Sequence, residues 1–206
     1  MRKLIFVLLF LCPILCKAQL FEKHFIYAKF GVFGGNYAGL NAGINYSPKG
    51  KYHIGLSAVG TISSSRLRPN DYNGGLAGFL SFGLNSPTDK TEAYHITLGR
   101  IIQLNKKGTI RLNLQAGIGT VRTRFATNFA PTGNGSLGAN YTFSKESERA
   151  IGYIINPKIE FPLAAMYGLA LSPVIMINER ETYFGLGIEN LFGFVRRRTL
   201  SIESSQ

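Results

Sequence analysis

The stretch TIRLNLQAGIGT, residues 109–120, sets Ile110, Leu112, Leu114, Ala116 and Ile118 in strict alternation with Arg111, Asn113, Gln115, Gly117 and Gly119. Successive side chains of a β-strand point to opposite faces, so a period of two puts the apolar set on one side and the polar, glycine-rich set on the other. The segment reads as a strand with one greasy and one polar face. The question it poses is which face meets solvent.

The same alternation recurs in runs at 26–32, 38–46, 53–62, 76–84, 94–104, 151–161, 169–177 and 182–189. Most are long enough to cross a bilayer as a tilted strand, which takes ~9–11 residues. One parity collects Leu40, Ala42, Ile44, then Ile54, Leu56, Ala58, then Phe184, Leu186, Ile188; the other collects Asn41, Gly43, Asn45, then His53, Gly55, Ser57, then Gly185, Gly187, Glu189. Between the runs stand turn formers: Ser47-Pro48-Lys49-Gly50, Asn85-Ser86-Pro87-Thr88-Asp89, Asn105-Lys106-Lys107-Gly108 and Asn178-Glu179-Arg180. Residues 125–150 are polar and rich in Gly, Asn and Ser, and are expected to form the longest loop. With the run at 109–120 the runs number nine, whereas single-chain bacterial barrels have an even number of strands. Either a tenth strand lies at 138–144 or the short run 26–32 is not a full strand. The expectation is eight or ten.

Residues 1–18 have a basic start (Arg2, Lys3), an apolar run from Leu4 to Leu15 and small residues Cys16 and Ala18 before Gln19. That is the layout of a secretory signal peptide, and its apolar core is short for a membrane-spanning helix. Residues 19–206 are then expected as one domain, with no Pro/Ser linker dividing it and a polar tail at 195–206. Both cysteines fall inside the signal, so a mature chain would form no disulfide and no thiolate metal site. The formal charge is +12; without Arg2, Lys3 and Lys17 it becomes +9, from 20 basic and 11 acidic residues. An exported basic chain meets anionic lipid headgroups and lipopolysaccharide rather than nucleic acid. The basic residues form no helical or ribbon stripe.

An alternating strand fits a soluble sandwich or lipocalin-like barrel as well as a membrane barrel. The polar face decides between them. A water-facing surface usually carries charges, but here that face is mostly Gly, Asn, Ser, Thr and Gln, which suits a crowded barrel interior. The expected architecture is therefore an all-β, antiparallel, up-and-down transmembrane barrel with apolar side chains to lipid. Arg111, Lys158, Glu160 and Glu189 fall on the polar parity, bear both signs, and are expected to pair inside the lumen. Arg100 shares parity with Ile96, Leu98 and Ile102, so it faces lipid, at a cost that is small only near the interface.

No Gly-x-Ser-x-Gly elbow, phosphate loop, His-Glu-x-x-His helix or calcium loop is present, and no motif calls for a cofactor or metal. His53 and His95 share the polar face with Ser57, and Glu92 lies near His95. A lipid-modifying enzyme needs base and nucleophile within hydrogen-bond reach, and sequence spacing alone does not join them. Lumen hydrogen bonding is the expected role of both histidines. Tyr27, Tyr37, Tyr46, Tyr52, Tyr94 and Phe194 lie near strand ends, where aromatic girdles sit at headgroup level.

The ending Lys17-Ala18-Gln19, the meander, and the segments 154–162 (IINPKIEFP), 167–169 (YGL) and 183–187 (YFGLG) resemble small, porin-like or uncharacterised bacterial outer-membrane β-barrel proteins. The resemblance implies an outer-membrane location, contact with the outer-membrane assembly machinery and no defined catalytic residues. Such barrels often end on an aromatic residue, whereas Phe192 and Phe194 here precede a polar tail. The functional expectation is a monomer with a structural, surface-interaction or minor pore role. The alternatives are an enzyme acting on lipid A or phospholipid acyl chains, and a soluble exported lipid-binding barrel.

Overall fold

The computed structural model describes residues 24–80, 86–133 and 138–196. The expected signal at 1–18 and the tail beyond 196 lie outside them. Nine strands follow in order: β1 (His24–Gly35), β2 (Ala38–Pro48), β3 (Tyr52–Ser64), β4 (Thr88–Gln103), β5 (Arg111–Pro131), β6 (Tyr141–Ile155), β7 (Lys158–Phe161), β8 (Tyr167–Asn178) and β9 (Thr182–Gly193), with one short helix, α1 (Gly75–Leu80), among the described residues. Each strand pairs antiparallel with its neighbour, and β1 pairs with β9, so the sheet closes on itself. Closure leaves no sheet edge at the level of the ring.

β6 and β7 are two lengths of one strand. Both pair with β5 on one side and β8 on the other, and the register runs unbroken from Ala116↔Ile155 to Asn113↔Lys158 and from Ile155↔Ile175 to Ile159↔Leu171. That register sets Pro157 opposite Pro173. Neither proline has an N–H to give to a ladder, so the pairing lapses there. Asn156 spans the gap: its N–H donates to Gln115 O at 2.9 Å and its Nδ2 to Pro173 O at 2.6 Å. The ring therefore has eight positions, one of the two expected counts.

The weak run at 26–32 is a full strand of 12 residues, and no separate strand occupies 138–144, where β6 begins. The run 76–84 is a correction: its described part is α1, not strand. Leu76 and Leu80 are four apart, a spacing that satisfies a helix as well as a strand, and Phe79 completes the helical set. Residues 81–85 lie outside the described chain. The expected loop at 125–150 is also mostly paired backbone. β4 leaves β5 at Lys90↔Arg124, while β5 and β6 stay paired to Pro131↔Tyr141 through a bulge between Thr127 and Ala130, where Asn128 takes φ 54°. Polarity there marks a ribbon that stands clear of the ring, not an absence of strand.

Alternation works as expected, with the apolar set outward. Ile44, Leu56, Leu98 and Phe184 are 59–62% exposed, while Lys158, Glu160 and Glu189 are at most 2% exposed. A soluble barrel reverses that assignment, because the hydrophobic effect then drives the apolar face inward. Among the described residues no helix is long and apolar enough to cross a membrane. The connections at 36–37, 65–87, 132–140 and 179–181 share one end; those at 49–51, 104–110 and 162–166 share the other with both ends of the described chain. Long connections at one end and short turns at the other are the habit of outer-membrane barrels, whose long loops face outward.

The β3–β4 connection leans on the tip of the β5–β6 ribbon. Asn140 donates its N–H to Asn73 O at 3.0 Å and its Nδ2 to Asp71 O at 2.8 Å, and the Tyr141 hydroxyl donates to Asp71 Oδ2 at 2.9 Å. That hydrogen bond to a carboxylate holds the Tyr141 phenol above its ordinary pKa.

Candidate functional site

The lumen is stacked in layers, each set by which inward residues the strands contribute. At the loop end, Phe33, Tyr37, Val59, Ala93, Val121, Ile154, Val174, Met176 and Tyr183 form one apolar cluster. Tyr37 packs edge-on against Phe33 and Tyr183, with centroids 5.3 and 5.0 Å apart. The Tyr183 hydroxyl finds its partner in Thr91 Oγ1 at 2.7 Å, as a buried phenol requires.

Below this plug lie the charges. Glu160 receives Arg111 Nε at 2.5 Å, Asn113 Nδ2 at 2.7 Å and the Tyr27 hydroxyl at 3.1 Å. Glu189 receives Lys158 Nζ at 2.5 Å, Asn41 Nδ2 at 2.9 Å and Ser172 Oγ at 3.0 Å. Each carboxylate thus has a cation and two neutral donors, the satisfaction that makes a buried ion pair tolerable. Lys29 is buried on the same inward face, so three basic side chains share the interior with two carboxylates.

At the turn end a second apolar cluster of Phe25, Tyr27, Ala170, Leu191 and Val195 closes the barrel. The chain folds under the ring after β9: Val195 N–H donates to Ala165 O at 2.9 Å, and Val195 O accepts Arg111 Nη1 at 2.7 Å. Arg111 also lies over the Phe25 and Tyr27 rings, 5.7 and 5.4 Å from their centroids. One side chain ties the ionic layer to the closing layer.

The structure brings Arg111 to Glu160 and Lys158 to Glu189. His53 sits beside them, its Nε2 3.1 Å from Thr97 Oγ1 and its Nδ1 accepting from Asn113 Nδ2 at 3.3 Å. His95 stands apart from the network. The register puts it opposite Ser57, on the same inward face, but no hydrogen bond joins the two. Ser57 Oγ and both His95 ring nitrogens have no partner among the described residues. Glu92, near His95 in sequence, points outward and pairs with Arg124 at 3.2 Å. Ser57, His95 and Glu92 are therefore not assembled as nucleophile, base and acid. Among the described residues no group of His, Asp or Glu is placed to hold a metal ion.

Sequence reading missed Lys29 and Ser172, and it placed Asn41 on the polar face without a partner; Tyr27 and Tyr37, expected in the aromatic girdle, are instead buried inside the ring, because their parity is the inward one. Lys29 was legible in principle, since Ala28, Phe30 and Val32 on one parity leave Tyr27, Lys29 and Gly31 on the other.

These features define the class: an eight-position, closed antiparallel barrel of the outer-membrane type, with a filled polar core and an apolar exterior. No family model and no curated protein sequence matches the chain. Solved structures do. The N-terminal β-barrel domain of OprF from Pseudomonas aeruginosa is 8% identical with a TM-score of 0.52, the match covering 84% of this chain and 98% of that one. Ail, the attachment invasion locus protein of Yersinia pestis, is 12% identical with a TM-score of 0.48, covering 82% and 96%. At such identities the OprF likeness speaks for the fold alone.

Proposed function

We propose that this chain is a monomeric barrel of a bacterial outer membrane that acts through its exterior and its outward loops, in a structural or surface-contact role. The observation that carries this reading is the pairing of an apolar outer wall with a lumen closed by side chains at both ends. An eight-stranded ring has an interior that side chains just fill, so the minor pore role is the weaker part of the expectation. The β5–β6 ribbon, with the β3–β4 connection braced against it, is the natural contact surface. Outer-membrane lipids and lipopolysaccharide are the surroundings that the basic balance suits, and the assembly machinery is the partner that the strand ending at Phe192 and Phe194 would meet.

Two tests bear on the whole reading. Fractionation of cells expressing the chain should recover it from the membrane with detergent, and the unheated protein should run at a different gel mobility from the boiled protein. Recovery in the aqueous fraction without a shift would sink the proposal. For the lipid-modifying alternative, His53→Ala and His95→Ala should leave the lipid A acyl pattern of expressing cells unchanged, because His95 reaches no hydroxyl and the Thr97 hydroxyl beside His53 is sealed inside the ring, away from lipid.

A further inference from the structure

Outward-facing cations are confined to one wall. The outward positions of β1, β2, β3, β8 and β9 contain no Lys or Arg, whereas β4, β5 and β6 present Lys90, Arg122, Arg124 and Arg149 above the apolar belt. Arg122 and Arg149 are directly opposite each other on paired strands. Side chains so placed have Cβ atoms ~4.5–5.5 Å apart, and like charges there repel. Glu92, on the other flank of Arg122, is engaged by Arg124 at 3.2 Å. Neither Arg122 nor Arg149 has an acidic partner among the described residues, and Arg122 Nε is buried with no hydrogen-bond acceptor.

Depth fixes what meets them. One register row below stand Tyr94, Thr120 and Ile151, the rim of the apolar belt. From Arg100, near the turn end, to Glu92 is eight residues of β4. At ~3.4 Å per residue and a ~40° tilt that is ~21 Å of membrane normal, close to the ~25 Å belt of outer-membrane barrels. Arg122 and Arg149 therefore lie at the headgroup level of the leaflet on the loop side. Below them and to one side, from β2 across to the foot of the arginine pair at Thr120 and Ile151, the wall is hollowed: Ala42, Ala58 and Thr120, between Leu56, Ile96 and Ile118, line an almost wholly apolar groove of about 790 Å³. Small residues in the middle of a wall of Leu and Ile make room for a chain.

Resting on the outer-membrane reading, we infer that the outward face from β2 to β6 is a site for a phosphate-bearing lipid of the outer leaflet, with the headgroup on β4–β6 and the groove reaching back to β2. Arg122 and Arg149 share the headgroup phosphate, Lys90 stands above them, and an acyl chain lies in the groove. A shared phosphate removes the repulsion within the arginine pair, and guanidinium matches phosphate geometry bidentately. Charge complementarity above and apolar shape below select one occupant, a phospho-lipid, over a neutral lipid or another protein's apolar segment.

The test uses the mature chain folded into nanodiscs of zwitterionic phospholipid, with a heat-dependent gel shift as proof of the barrel. Absence of that shift counts against the outer-membrane reading itself. Given the shift, lipid A carrying its phosphates should bind at least about tenfold more tightly than dephosphorylated lipid A, by native mass spectrometry or titration. The Arg122→Gln/Arg149→Gln double variant should abolish the difference. Arg149→Glu gives Arg122 an internal partner, so it should fold at least as stably as the parent without lipid A and lose the preference for phosphate. Equal binding of both lipids, or a double variant that binds like the parent, overturns the site. Full competition by millimolar inorganic phosphate overturns the lipid assignment, because it would mean the groove contributes nothing.

Discussion

Glu160 holds three donors at once, drawn from two strands: Tyr27 from β1, and Arg111 and Asn113 two residues apart on the inward face of β5. Replacing it by Gln leaves the Arg111 charge buried beside a neutral group. We expect Glu160→Gln to lower stability by about 3–5 kcal/mol, read as the urea midpoint for unfolding from detergent micelles, and the Arg111→Met/Glu160→Leu pair to recover most of it. A double variant as weak as the single one would show that Arg111 matters for its grip on Val195 rather than for charge. At the β2–β3 turn the strain is local. Lys49 and Gly50 have φ of 57° and 62°, the type I′ arrangement that favours Asn-Gly, yet the first position is Lys. Lys49→Asn should therefore raise the midpoint, by about 0.5–1 kcal/mol in stability, since a side chain with a Cβ is penalised by ~1–2 kcal/mol in the left-handed region and Asn less than most. At this scale the sequence was informative about direction and silent about partners. Parity alone turns Arg111, Lys158, Glu160 and Glu189 inward, but Arg111 meets Glu160 across 49 positions of chain, and no spacing rule links them.

Elements were legible where period and length agreed, and misread where they diverged. Residues 109–120 are strand because alternation persists over many residues, whereas 76–84 offered only a few apolar positions, compatible with either period, and its described part is helix. The β6–β7 break was written as Asn156-Pro157, but its mildness depends on Pro173 lying opposite, which only pairing reveals. The β5–β6 ribbon was hidden by its own polarity. A strand outside the ring has no core face to keep apolar, so alternation fades where pairing continues. Because β4 leaves β5 at Arg124, all of the lumen layers lie below the ribbon. Replacing residues 127–144 by Asn-Gly, which joins the Ala126↔Lys145 pair by a two-residue turn, should preserve the heat-dependent gel shift and the lipid A preference carried by Arg122 and Arg149 while removing any binding that the ribbon tip makes to other surface partners. Loss of the gel shift would reassign the ribbon to folding.

For the molecule as a whole, the deciding matter is how the interior is divided, and this follows from closure rather than from any one strand. Evenness of strand number was available from the sequence, but eight rather than ten was not, since the interruption at Asn156-Pro157 and the merging of 138–144 into β6 are settled only by which strands share neighbours. With eight positions the lumen is narrow, and here it is crossed by an apolar plug, an ionic layer and a second apolar layer in series. An ion entering from the loop side meets Tyr37 and Tyr183 first, then the Arg111–Glu160 and Lys158–Glu189 pairs, then the Val195 closure. Each layer alone blocks passage: apolar layers deny hydration, and the ionic layer is bonded to itself. The reconstituted protein in a planar bilayer should therefore show no large, stable conductance steps. Opening the loop-side plug alone, with Tyr37→Ala and Tyr183→Ala, should still give none, because the ionic and closing layers remain. Large steps from the parent would mean that the layers exchange partners readily. Steps appearing only in the plug variant would mean that the ionic layer passes ions once it is wetted, and that the aromatic plug is the true gate.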